Sequence, residues 1–180
     1  MRKTRADEDA VASHKCVLYV LGPPMTAETA DTISTAALLL VGQLIKAGAT
    51  AVKGENAGVA HGIARWRQLV AQCGDALKAD DDVALSRACR LAFAKRPLES
   101  TKYLESVGFH LVGLPEVYVE KTLGTDLEKA HLMDTIADEM KQRGVPAVVA
   151  DRKATLSFKS SYQEDDFKFD PYGIVYIDQH

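Results

Sequence analysis

Glu116-Val-Tyr-Val-Glu120, followed after four residues by Thr125-Asp-Leu-Glu128, is the stretch that decides the fold class. The first five residues alternate apolar and polar with a period of two, the pattern of a strand buried on one face only. The second motif is a capping box, in which the Thr125 hydroxyl and the Glu128 carboxylate each satisfy a backbone N–H that the first helical turn leaves open. Leu127, Met133, Ile136, Ala137 and Met140 then recur at helical spacing and predict an inward stripe. Gly144 and Pro146 stop that helix, and Ala147-Val-Val149 is expected to return as a strand. Strand, helix and strand make one β-α-β unit.

Working outward, the same order occurs near the start of the chain. Cys16-Val-Leu-Tyr-Val-Leu21 is β-prone and closed by Gly22-Pro23-Pro24, which predicts a buried strand and a turn. Thr26 is placed to cap a helix carrying Ile33, Ala37, Leu40, Val41, Leu44 and Ile45 on one face. Gly48 ends it, and Ala49 to Lys53 reads as a strand. The two units are either an internal duplication or two ordinary β-α-β pieces. Between them, Gly58 to Leu77 and Asp80 to Ala94 read as helices, and Lys102 to Leu114 as a strand with bends at Gly108 and Gly113. Thr155 to Phe158 and Ile174 to Ile177 are further short strands, the last aimed by a turn at Pro171-Tyr172-Gly173. The expected fold is α+β, a mixed or antiparallel sheet with helices packed on one face.

The chain has 180 residues, 47% of them hydrophobic and 26% charged, which suits a single domain over 15–180 behind a solvated lead-in at 1–14. The net charge of −3 gives no general attraction to nucleic acid or to an acidic membrane. From Arg65 to Lys102 eight Lys or Arg stand against five acidic residues, a weakly basic stretch with too few aromatic residues to stack a single strand. Cys16, Cys73 and Cys89 form no C-x-x-C pair, which fits reduced thiols in a cytoplasmic protein better than a disulfide framework or a zinc site. The longest apolar run, Ala36 to Val41, is too short to span a bilayer.

Catalytic motifs are not evident. Gly54-Glu-Asn-Ala-Gly58 and Gly62 lie between a strand and a helix, yet they lack the Gly-Lys-Ser/Thr end of a phosphate loop and the spacing of a dinucleotide site. His14, His61, His110, His131 and His180 show no metal-binding spacing, and no serine or cysteine sits in a nucleophile elbow. Neither cofactor nor metal is expected, and the chain is read as a binding protein rather than an enzyme. An enzyme with a site assembled from His61, Glu55 and His110 is the alternative. The feature that points to a partner is acidic. Glu164, Asp165, Asp166 and Asp170 lie in the last twenty residues, where five acidic residues and one lysine give a local charge of −4. Such a segment fits a basic partner, for example a nuclease cleft, because complementary charge speeds encounter and selects the partner.

The segment Gly108-Phe-His-Leu-Val-Gly113-Leu-Pro-Glu-Val-Tyr-Val-Glu120 resembles a stretch of a bacterial family, domain of unknown function 4261. Asp165-Asp-Phe-Lys-Phe-Asp170-Pro-Tyr-Gly-Ile-Val175 is similar to that family's closing motif, and Ala57-Gly-Val-Ala-His61 with Trp66 to an earlier one. The chain departs from the pattern at Ala150 to Thr155, where the family carries a glycine-containing acidic element. The resemblance implies association with secretion-system effectors, type VI secretion among them. It points to a cytoplasmic immunity protein that occludes a cognate toxin, or to an accessory factor of the secretion apparatus. It supplies no catalytic residue.

Overall fold

Strand β5 (Glu116–Glu120) and helix α5 (Asp126–Arg143) form where the alternation and the capping box place them. Thr125 accepts from the Glu128 N–H while the Glu128 carboxylate accepts from the Thr125 N–H at 2.8 Å. These elements belong to a computed structural model that describes residues 4–158 and 168–179. In chain order the others are α1 (Arg5–Ala12), α2 (Ala30–Lys46), β1 (Val52–Gly54), β2 (Val59–His61), α3 (Ile63–Ala79), α4 (Asp82–Phe93), β3 (Lys95–Glu99) and β4 (Tyr103–Val107). A 3-10 turn (Phe109–Val112) precedes β5, and α6 (Val145–Asp151), β6 (Thr155–Ser157) and β7 (Ile174–Ile177) follow α5. The chain is an α+β fold with one two-stranded and one five-stranded sheet.

The larger sheet has the order β3-β4-β5-β7-β6. Among the described strands, only β5 and β7 run parallel, with Val117 opposite Val175 and Tyr118 opposite Tyr176, so the sheet is mixed. One face carries Leu104, Val117, Val119 and Val175 into the core, where Met133, Ile136, Ala137 and Met140 of α5 meet them. Behind this layer α2, α3 and α4 pack on one another through Leu38, Val41, Trp66, Leu69 and Cys89. Trp66 is fully buried and its indole N–H donates to the Val52 carbonyl at 3.2 Å, tying α3 to β1. Arg90, 2% exposed, joins α4 to α5: Nε reaches Asp134 at 3.2 Å, Nη2 reaches Asp138 at 3.1 Å, and the guanidinium lies 5.4 Å from the Phe109 ring centre. Arg87 pairs with Asp138 as well, so part of the weakly basic stretch is neutralised inside the molecule.

Several expectations are corrected. Residues 16–21 form no strand; the chain from His14 to Thr26 has no regular structure, and Val17 to Leu21 are exposed. Residues 147–149 lie in α6, a helix with Pro146 in its first turn, where a fixed φ and a missing N–H suit the start of a helix. Neither β-α-β unit therefore exists as read, and the duplication goes with them. The parallel partner of β5 is β7, far along the chain, and β1 pairs antiparallel with β2 instead. Gly54 to Gly58 form the turn of that β1–β2 hairpin, which occupies residues expected to open a helix. Helix α2 starts at Ala30, because residues 27–29 make a separate turn whose Thr26 N–H donates to Thr29 Oγ1 at 2.9 Å. Within the expected lead-in, Arg5–Ala12 is helical. Asp7 completes a capping box with Thr4 and accepts from the Ile63 N–H at 3.1 Å, serving a helix start whose own N-cap is Gly62.

Candidate functional site

Successive side chains of a strand point to opposite faces, so the alternate residues of β4, β5 and β7 share the face away from the α5 core. In those strands they are Tyr103 and Glu105; Glu116, Tyr118 and Glu120; and Ile174 and Tyr176. Of these, Glu105, Glu116, Tyr118 and Ile174 are themselves buried. Cross-strand register sets Tyr103 opposite Glu120, Glu105 opposite Tyr118, and Tyr118 opposite Tyr176. The three tyrosine rings meet in a triangle, with centroids 6.2 Å apart for Tyr103 and Tyr118, 5.5 Å for Tyr118 and Tyr176, and 5.2 Å for Tyr103 and Tyr176. The last two contacts are edge-on, the geometry in which a ring edge meets a π face.

Charge surrounds this triangle. Lys102 Nζ donates to Tyr103 Oη at 2.8 Å and to Asp178 Oδ1 at 2.9 Å, and Tyr103 Oη donates to the same carboxylate at 2.9 Å. Glu120 lies 4.0 Å from Lys102 and accepts from the Gln179 N–H at 2.9 Å. Glu105, nearly buried, is paired with Lys168 at 2.6 Å. Burial pushes the Tyr118 phenol well above its ordinary range, and the charges of Glu105, Glu116 and Asp170 push it the same way, so Tyr118 stays a neutral hydrogen-bond donor. Among the described residues, Glu105, Glu116, Glu120, Asp170, Asp178, Lys102 and Lys168 stand around this aromatic centre.

The corner between β4 and β5 fixes one end of the face, and its geometry accounts for the glycines of the Gly108–Glu120 motif. Gly108 has φ +103, and a Cβ there would lie 2.9 Å from Ala94 Cα. Gly113 has φ +73, and a Cβ would lie 2.5 Å from the Ala27 carbonyl oxygen. Both sites need glycine for its left-handed backbone and for the close approach. Glu116 Oε1 accepts from the Gly108 N–H at 2.9 Å and from the His110 N–H at 3.4 Å, while Oε2 accepts from the Ser106 hydroxyl at 2.5 Å. His110 Nδ1 lies 3.3 Å from the same carboxylate. This grouping of Ser, His and Glu is not a nucleophile array. The serine hydroxyl faces the carboxylate rather than the imidazole, and Ser106 Oγ accepts from the Val117 N–H at 2.7 Å. It is a buried bracket that caps the 3-10 turn.

The predicted partner-binding residues fare differently. Glu164, Asp165 and Asp166 lie outside the described residues. Asp170 is 5% exposed, not on an open loop as expected. It starts a turn in which the Gly173 N–H donates to its carbonyl at 3.0 Å, and that turn is pressed onto the sheet where the Gly173 carbonyl accepts from the Glu116 N–H at 3.0 Å. The described residues on either side of the acidic segment are exposed Phe158, just after β6, and Lys168, held by Glu105.

The residues of the alternative catalytic set each have other partners. His61 Nε2 lies 3.0 Å from the Ala92 carbonyl, Glu55 pairs with Lys53 at 2.8 Å, and His110 belongs to the Glu116 bracket. A groove of about 300 Å³ between α1 and the β1–β2 hairpin is lined largely by Val11, Ala12, Ala51, Val52 and Ala60. Of its polar members, which also include Glu8 and Thr50, Asp7 and His61 already have backbone partners. Among the described residues no cluster of His, Cys, Asp or Glu could hold a metal ion, and no helix is long and apolar enough to cross a membrane. Sequence reading passed over Tyr103, Tyr176, Lys102 and Asp178 because they come from separate strands. The available signal was the alternation of Glu116, Tyr118 and Glu120, whose polar side had to face something. Comparison with family models, curated proteins and solved structures finds no match for this chain.

Proposed function

We propose that this chain is a non-catalytic binding protein, a cytoplasmic immunity protein that neutralises a cognate bacterial secretion-system toxin by direct contact. The observation that supports the reading is the sheet face away from α5, where Tyr103 and Tyr176, partly exposed, and buried Tyr118 sit among carboxylates. Tyrosines supply large, stiff contact area at low entropic cost, and interface hot spots are enriched in them. Carboxylates beside them favour a basic partner, as the cleft of a nucleic-acid-cleaving toxin must be. The resemblance to domain of unknown function 4261 points the same way.

The test is a measured association with a nuclease toxin, sought among the products of genes adjacent to this chain's own, paired with growth rescue on co-expression. Tyr176→Ala should weaken the complex about 30-fold, the scale of a hot-spot tyrosine. Glu120→Gln should slow association several-fold at low salt, with the deficit shrinking as ionic strength rises. Full toxicity in the presence of the chain, or wild-type binding by both variants, would refute the reading.

A further inference from the structure

Cys73 of α3 and Cys89 of α4 are free thiols, both fully buried, and their sulfur atoms are in hydrogen-bond contact with each other. The contact follows from a count along the chain. Only Asp80 and Asp81 join α3 to α4, with Asp80 in the left-handed conformation that ends α3 and Asp81 capping α4. Cys73 lies seven residues before Asp80 and Cys89 eight after Asp81. At about 1.5 Å per residue, both stand roughly 10–12 Å from the bend. The helices run antiparallel, since Trp66 near the start of α3 meets Phe93 at the end of α4 with ring centres 5.8 Å apart. Matched heights on antiparallel helices set the two thiols side by side. Thr35 Oγ1 of α2 lies 3.7 Å from the Cys89 sulfur, so the pair sits where three helices meet.

We propose that Cys73 and Cys89 are a redox pair that closes into a disulfide under hydrogen peroxide and staples α3 to α4. The thiolate of one cysteine attacks a peroxide oxygen, the O–O bond breaks, and a sulfenic acid forms with release of hydroxide. The sulfur of the other cysteine then attacks the sulfenic sulfur. The S–S bond forms, the S–O bond breaks, and the departing oxygen leaves as water with the thiol proton. Two thiols and one hydrogen peroxide become one disulfide and two waters, with two electrons passing from sulfur to the peroxide. Burial raises both thiols, Cys89 to about 12 and Cys73 by less, so Cys73 reacts first and Cys89 resolves it. Hydrogen peroxide is close to water in size and enters where a bulky reagent does not, while burial keeps the closure slow. The pair therefore answers sustained oxidant. The bond closes the loop 74–88 and joins α3, tied to β1 through Trp66, to α4, tied to α5 through Arg90.

The experiment uses the full chain with Cys16→Ser, which removes the exposed thiol. The folded protein is held in hydrogen peroxide for hours, alkylated in denaturant, digested and mapped by mass spectrometry without reduction. The expected product is a single chain in which the Cys73 and Cys89 peptides are linked with the loss of two hydrogens. Closing a loop of about 15 residues should raise the thermal midpoint by about 5 °C, and dithiothreitol should reverse both changes. The rise should be absent from Cys73→Ser given the same treatment, which separates the staple from other oxidation of the chain. Folded protein that yields no link between the two cysteines would overturn the proposal. A link that forms only in urea, a link between two chains, or a linked chain with no higher midpoint would do the same.

Discussion

Replacing Glu116 by alanine removes the acceptor that organises the corner between β4 and β5. The Gly108 N–H at 2.9 Å and the Ser106 hydroxyl at 2.5 Å lose a good partner, and the His110 N–H at 3.4 Å loses a weaker one. Glu116 is 3% exposed, so water does not readily replace the carboxylate. Each buried donor left open costs about 1–3 kcal/mol. Two full losses and a partial one therefore predict destabilisation of about 3–5 kcal/mol. In a chain of this size that is a fall of about 10 °C in the thermal midpoint. Glu116→Gln retains one carbonyl acceptor for Gly108 and should lose about half as much. Urea unfolding followed by circular dichroism gives both values, and an unchanged slope with a lower midpoint would locate the effect in the folded state. A loss below 1 kcal/mol for the alanine variant would show that Glu116 does not bracket the corner.

Three further outcomes are expected. Gly113→Ala should cost about 2–4 kcal/mol, since its backbone is left-handed and the added methyl meets the Ala27 carbonyl; Gly48→Ala, with φ +107 and open space around it, should cost about 1 kcal/mol, and equal losses in urea melts would refute the steric argument. Burial pushes the Cys89 thiol up to about 12 and the Cys73 thiol upward as well, whereas Cys16 is exposed. A thiol reagent applied to the native chain should therefore label Cys16 fast and the other two only on unfolding, and rapid labelling of all three would contradict the packing of α3 on α4. Burial also holds the His61 imidazole below its ordinary 6.5. A folded-state value below the unfolded one means that stability is full above about pH 6.5 and falls as pH drops through the folded value. His61→Gln should flatten the fall in thermal midpoint on acidification, and an unaltered profile would show that His61 is not a source of it.

What could be read from sequence was local. The Thr125–Glu128 box, the strand at Glu116–Glu120 and the turn at Pro171–Gly173 each follow from chemistry within a few residues, and each is present. Errors arose where the outcome depends on distant partners. A β-prone run at 16–21 says nothing about whether an edge is available to it. Ala147-Val-Val149 is too short for its periodicity to separate strand from helix, and Pro146 settles it as a first turn. The tyrosine face was hidden for the same reason, since Tyr103, Tyr118 and Tyr176 become neighbours only through the β4–β5–β7 register. Asp170 looked like part of a solvated acidic loop because charge patterning carries no information about the turn that folds it onto the sheet.

The placement of β7 between β5 and β6 has a kinetic consequence. Among the described residues, β6 pairs with β7, and β5 gains its parallel partner when β7 arrives. The hairpin of β4 and β5 and the capped helix α5 are assembled from nearby residues and can form early. The β5–β7 ladder must first close the whole of 121–173, an entropic cost met before any of its contacts form. Completion of the sheet is thus a late, long-range step, and during it the open edge of β5 is the place where a folding chain is most exposed to wrong pairing.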